Sequence, residues 1–440
     1  MNNKKTLLSI ALSSCLLFSG HASADTSVGA YVDYDGWSLT TIDQFNADTA
    51  RNATNINIFS SFSSNWDSLS VQASNIVSRD SVPLITWMPY NNAAPDSNVI
   101  VEIASGQWDA YIDSWIEGLT NWRNTYPAGT EPSILLRFGH EFNGNWYPWG
   151  NQPDALKTAW RHVHQRFADA GLNDVVGWVW CANNVDVDSV NDVTAYYPGD
   201  DVVDWLSIDG YNWGSNYSFS RWKSFDETFS QQYVKMVTAF PGKPMMLAEV
   251  SSAEPHDVPD PTWGQDGDDS DSVQSKAAWI TDMMQSVQNN YPAIKSIVWF
   301  NTNKELDWAL NLSGNTGLNE YNDSVSTDYF SGKLQIKSQP AVEPVEEPVV
   351  EPVEEEVVVE APTTKTKGKS GNKKKTDSLR IASTEADTET APVTGIAKAM
   401  AVSKMPTVVG ERLLAREAEG LRNMPKAELS KWRLGRVLGE

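Results

Sequence analysis

Between residues 26 and about 335, short apolar runs alternate with longer stretches whose apolar positions recur at helical spacing. The runs Val28-Val32, Asn55-Phe59, Val82-Trp87, Ile134-Phe138, Val175-Trp180, Trp205-Asp209, Pro244-Glu249 and Ser296-Phe300 have strand length. Most are apolar at consecutive positions, as strands of a parallel sheet covered by helices must be. Helices are predicted over Gln107-Arg123, Pro153-Ala170, Arg221-Val237 and Ser272-Gln288, with Pro153 at a first helical position. Eight strands, each followed by a crossover, predict an α/β fold of the (β/α)8 TIM-barrel type. The alternative is a doubly wound open sheet, but no Gly-rich phosphate loop follows the first strand.

Both ends of the chain break this pattern. Lys4-Lys5, the apolar run Leu7 to Phe18 and the small-x-small site Ala22-Ser23-Ala24 predict a cleaved signal peptide over residues 1–24 and a secreted or periplasmic protein. Leu12-Ser-Ser-Cys15 offers a lipoprotein box as the variant reading, although the apolar run continues past it. Residues 25–338 are expected to form the barrel domain. From 339 to 407 a disordered linker is expected: the tract from 343 to 360 has eight Glu and no basic residue, and a Lys-rich tract follows. Such segments repel themselves and bury no core. Residues 408–440 read as a short helical tail that docks on a surface or protein partner, or as a continuation of the disorder.

Composition narrows the function. A net charge of -23 argues against a nucleic-acid binder, which needs a basic stripe. No segment after the leader is apolar enough to span a membrane. Nineteen Trp, many near predicted strand ends, fit a surface that stacks on sugar rings, although Trp is also an ordinary core residue. Cys181 is the only cysteine besides Cys15, so the mature chain forms no internal disulfide, and Cys181 reads as a small buried apolar residue.

In a barrel, chemistry sits where strands end. The fourth strand ends at Arg137 and delivers His140 and Glu141; the seventh ends at Glu249. The other strand ends supply Trp87, Trp180, Tyr211, Trp213 and Trp299 as candidate sugar-contacting residues, with Trp146 following Glu141. Glycoside hydrolysis needs two carboxyls flanking the scissile bond, and a carboxyl among apolar rings can keep its proton at neutral pH. Arg137 either holds Glu249 charged or is a structural barrel arginine.

The segment Arg137-Phe-Gly-His-Glu-Phe-Asn-Gly-Asn-Trp-Tyr-Pro-Trp149 resembles the signature of glycoside hydrolase family 26, which contains β-mannanases, β-1,3-1,4-glucanases and β-1,3-xylanases. The resemblance implies a retaining hydrolase of a β-linked polysaccharide, with Glu141 as acid/base and Glu249 as nucleophile. It also implies roles in substrate binding for His140 and Trp146, a contact from Tyr211 to the nucleophile, and Trp299 as the floor of the cleavage subsite. No metal or organic cofactor is expected. One departure bears on the substrate: Met88 stands where mannanases of this family carry a His, and Phe300-Asn301 lacks the Arg that some have there. A carbohydrate-binding scaffold without turnover, or an accessory to polysaccharide assembly, is the competing class.

Other motifs carry less. Gly144 replaces the second His of a zinc-protease pattern after His140-Glu141. His162 and His164 point to different faces of one helix and are expected at the surface. The acidic stretch 266–271 lacks the spacing of a calcium loop.

Overall fold

The structure, a computed structural model, describes residues 25–337 apart from 95–96, 188–190, 217–219, 255–273, 305 and 312–316. The expected leader, linker and tail and the acidic stretch 266–271 lie outside the described residues.

Eight parallel strands close in sequence order into a barrel. They are β1 (Ser27–Val32), β2 (Asn55–Ser61), β3 (Val82–Met88), β4 (Ile134–Phe138), β5 (Val176–Asn183), β6 (Trp205–Asn212), β7 (Met245–Ser252) and β8 (Ile294–Asn301). Around them run α1 (Leu39–Asp48), α2 (Trp66–Val77), α3 (Val99–Ala104), α4 (Asp109–Arg123), α5 (Pro153–Asp169), α6 (Phe225–Ala239), α7 (Lys276–Asn290) and α8 (Leu318–Val325). The predicted (β/α)8 barrel is the fold found. Local chemistry sets several boundaries: Pro153 opens α5, and Ser224 with Glu227 forms a reciprocal capping box on α6.

Leu84, Leu135, Val179, Cys181, Met246 and Val298 share one buried cluster although they come from five strands. Only the barrel interior brings five strands together, so these positions define the inward face. The two-residue period of a strand then turns Thr86, Met88, Arg137, Asn183 and Phe300 inward and Trp87, Trp178, Trp180 and Trp299 outward. The floor is closed by the segment after α8, where Leu334 and Ile336 pack on the interior cluster and the Trp205 indole donates to the Gln335 carbonyl at 3.0 Å. Gly177 permits that approach, because a Cβ there would lie 2.2 Å from the Ile336 carbonyl oxygen.

The outward tryptophans weld sheet to helices. Trp87 stacks on Trp115 of α4 at 4.7 Å, and Trp178 meets Phe167 of α5 edge-on at 5.3 Å. Eleven tryptophans are among the largest fully buried side chains of the described residues. Much of the Trp enrichment that reads as sugar-stacking surface therefore serves core packing. The expectation of two surface histidines is also half corrected. His162 is partly exposed and meets Asp109 at 2.6 Å, whereas His164 is buried with its ring 5.0 Å from Trp178.

One irregularity positions the site. Ser207 of β6 pairs with Met246 of β7, but Asp209 pairs with Glu249, so three steps on β7 face two on β6. This bulge shifts the alternation by one residue. Met246 and Ala248 still face the interior cluster, and beyond them Glu249 faces inward instead of toward the helices.

Candidate active site

The chain leaves β4 through a turn in the left-handed region, with φ of 57° at Gly139 and 52° at Glu141. Left-handed backbone is unfavourable for a glutamate, and such strain concentrates at functional sites. The turn is tied to the next strand by the Glu141 N–H, which donates to the Cys181 carbonyl at 2.9 Å. Further on, Asn143 accepts from the Asn183 N–H at 2.8 Å and donates to the Asn183 carbonyl at 3.0 Å. The half-buried Glu141 carboxylate accepts from the Trp146 indole N–H at 2.8 Å. Burial, then the charge of Glu249, pushes the Glu141 carboxyl from 4.5 up to about 7, against the pull of Trp146, Arg137 and Lys304. A carboxyl in that range can give a proton and take one back near neutral pH.

Glu249 is held at both oxygens. Oε1 accepts from Arg137 Nη2, and Oε2 accepts from the Tyr211 hydroxyl at 2.5 Å. Arg137 is itself fully buried and is the hub of the interior polar cluster. Its Nη1 donates to Asp209 Oδ2 at 2.6 Å, and its Nε and Nη2 donate to Thr86 Oγ1 at 2.8 and 2.6 Å. Burial opposes the Arg137 charge, but Asp209 and Glu249 outweigh it and keep the guanidinium charged. The other Asp209 oxygen accepts from the Cys181 thiol at 3.1 Å. One cation thus serves two buried acidic side chains, and burial pushes the Asp209 carboxyl well above its ordinary value even against the pull of Arg137. The charge of Glu249 adds to burial in making Glu141 retain its proton.

His140 is buried beside this cluster. Burial, then Arg137, lowers its pKa well below 6.5, so the imidazole is neutral, and its Nδ1 has no hydrogen-bond partner. Ligand atoms of His140, Asp209 and Glu249 lie within 4.8 Å of one another, a donor set of the kind that could take a cation. Both carboxylates already bond Arg137, which supplies the positive charge at that place. The mouth above is lined by rings. Tyr31 stacks on Phe300 at 4.7 Å, Tyr211 lies edge-on to Phe300 at 5.6 Å, and Trp308 meets Tyr211 at 5.1 Å and Trp213 at 5.0 Å.

Of the residues singled out from sequence, Arg137, His140, Glu141, Trp146, Tyr211 and Glu249 come together, and Trp213 joins through the rim aromatics. Arg137 bonds Glu249 and also organises the interior polar cluster through Asp209 and Thr86. Trp299 is a correction: it is fully buried, its indole donates to the Trp308 carbonyl at 3.0 Å, and its ring lies 6.1 Å from Tyr321 of α8. Phe300, one residue on, is the β8 ring that faces the mouth. Trp87 and Trp180 are corrections for the same reason. The first packs on Trp115 and the second on Phe142 at 4.8 Å, both on the outer side of the sheet. Asp209 and Thr86 join the site without having stood out in the sequence, although their inward registers, two residues from Ser207 and Leu84, are readable there. Cys181 is buried as expected, but it bonds Asp209 and is not an inert filler.

Residues 86–254, a span that holds both glutamates, match the family described as Glycosyl hydrolase family 26. Endoglucanase H of Acetivibrio thermocellus is 32% identical over 305 residues, covering 67% of this chain and 30% of that protein. The chain thus spans under a third of that relative's length. A mannan endo-1,4-beta-mannosidase A and B of Caldalkalibacillus mannanilyticus is 29% identical over 159 residues, or 34% of this chain and 26% of the relative. Among solved structures, a modular endo-beta-1,4-mannanase from Cellulomonas fimi superposes with a TM-score of 0.52 at 14% identity, covering 72% of this chain and 74% of that one. A GH26 beta-mannanase from Bacteroides ovatus gives 0.50 at 18% identity, covering 72% and 91%. At such identities the superpositions speak for the barrel alone, and it is the sequence matches, the family match spanning both rim glutamates, that name the lineage: the barrel of this chain belongs to glycosyl hydrolase family 26.

Proposed function

We propose that the barrel is a retaining endo-β-glycosidase acting on a β-linked glucan, with Glu141 as acid/base and Glu249 as nucleophile. The observation that carries this reading is the contrast between the two carboxyls. Glu249 has both oxygens occupied by donors, while Glu141 keeps its proton up to about pH 7. In the first step Glu249 attacks the anomeric carbon as Glu141 protonates the departing glycosidic oxygen. In the second, Glu141 takes a proton from water, whose oxygen displaces Glu249 from the sugar. Arg137 and Tyr211 orient the attacking oxygen, and His140 stays neutral beside them.

Glucan is preferred over mannan on two grounds. A relative that is 32% identical over 67% of this chain is named an endoglucanase. The inward position at the end of β3 is the apolar Met88, which offers no strong hydrogen bond to a sugar hydroxyl. Export rests on the leader pattern of residues 1–24. Protein from culture fractions that begins at Asp25 would support export, and an intact N-terminus would count against it.

Reducing-sugar release from a panel of glucans, mannans and xylans, with NMR of the first-formed anomer, tests the whole reading. Retained configuration on a glucan supports it, and inversion overturns the nucleophile. Release from mannan alone overturns the substrate choice. Glycan binding without release favours a non-catalytic scaffold. Glu249→Ala should abolish turnover, whereas Glu141→Ala should spare only substrates with activated leaving groups.

A further inference from the structure

Four non-glycine residues among those described have positive φ: Tyr34, Asp80, Glu141 and Asn151. Asp and Asn tolerate this region because their short polar side chains bond locally. Glu and Tyr lack that local compensation. Glu141 is accounted for by its place at the site, which leaves Tyr34, at φ 66° in the loop after β1. Strands of a barrel deliver these loops to the rim that carries the chemistry.

Packing does not explain Tyr34. Its side chain is 44% exposed, and it is the one aromatic among the large apolar residues left exposed in the described chain. The backbone beneath it is nevertheless fastened on both flanks. Thr302, just past β8, donates to Asp33. The Trp37 N–H donates to the Tyr34 carbonyl at 2.7 Å, and Asn75 of α2 donates to the carbonyls of Gly36 and Trp37 at 3.0 and 3.2 Å. The fold therefore immobilises a strained loop that presents a ring to solvent. That ring stands three residues beyond Tyr31, which stacks on Phe300 inside the mouth.

We infer that Tyr34 is the platform of an outlying subsite on the β1–β8 sector of the rim, stacking on the flat face of a neutral pyranose in a longer glycan chain. The inference rests on the hydrolase reading above. A rigid aromatic with an apolar face and a polar edge suits a sugar ring, and fixing it beforehand removes the ordering cost of binding.

The test compares purified full-length protein with Tyr34→Ala, Tyr34→Trp and Tyr34→Gly on a ladder of defined oligosaccharides. Tyr34→Ala should raise KM by about three- to tenfold on long members, the range of one aromatic contact, and leave kcat and the shortest cleaved member unchanged. Tyr34→Trp should restore the long-chain KM. Tyr34→Gly should share the KM defect yet melt above Tyr34→Ala, because glycine adopts this φ without strain. A KM unchanged by Tyr34→Ala at every length, or raised equally at every length, overturns the subsite. Absence of hydrolysis by wild-type protein would instead overturn the parent reading.

Discussion

Replacing Glu249 by Gln removes one negative charge from the mouth while keeping the side chain's shape, and the response should appear at Glu141. That carboxyl is pushed from 4.5 to about 7, by burial first and by the Glu249 charge second. Two carboxylates about 5.5 Å apart, the spacing a retaining pair requires, repel by about 3 kcal/mol at an effective dielectric of about 20, or about two pKa units. Arg137 bonds Glu249 directly and cancels part of this repulsion. The expected net fall is about one unit, so Glu141 in the variant should release its proton near pH ~6. Burial does not change, so the value should stay above 4.5. Carbon-13 NMR of carboxyl-labelled glutamate follows the titration, with Glu141→Gln assigning the signal. A wild-type Glu141 that titrates near 4.5, or a value that Glu249→Gln leaves unmoved, would refute the coupling between the two carboxyls and the acid/base argument with it.

Three further expectations follow from the same contacts. Because the folded-state pKa of Glu141 lies above its unfolded value, the native protein holds a proton that the unfolded chain gives up. Wild type therefore loses stability as pH rises from 4.5 to about 7, and the melting-temperature advantage of Glu141→Gln should widen across that window; a constant gap would contradict the shift. Arg137→Met leaves Asp209 and Glu249 buried without their cation and should cost about 3–5 kcal/mol in denaturant unfolding. Arg137→Lys should recover little, since one ammonium cannot span Thr86, Asp209 and Glu249, and full recovery would argue that charge alone matters. Trp299→Phe should lower the melting temperature while leaving KM nearly unchanged, and a KM defect in a stably folded variant would restore Trp299 to the sugar site.

The barrel was legible because its strands are apolar on both faces and its helices carry an amphipathic period, both local properties of the chain. Glu141 was legible because His140, Trp146 and Tyr147 crowd around it within a few residues. For Glu249, the signal was its place at the end of an apolar run. Which tryptophans touch sugar was another matter. Trp87, Trp180 and Trp299 sit at strand ends, and the two-residue alternation could have excluded them only once the inward register was anchored. Closure of the sheet provides that anchor by bringing Leu84, Val179 and Val298 into one cluster.

What the sequence alone determined is therefore the architecture, the two acidic strand ends and the excess of rings, because each is written in neighbouring residues. The tertiary structure decided how they are used. The β7 bulge turns Glu249 inward, Arg137 reaches Asp209 and Glu249 across 72 and 112 residues of chain, and sheet closure sends one tryptophan to the core and another to the mouth. These are consequences of strand register, which is settled by pairing between distant segments and has no local signature.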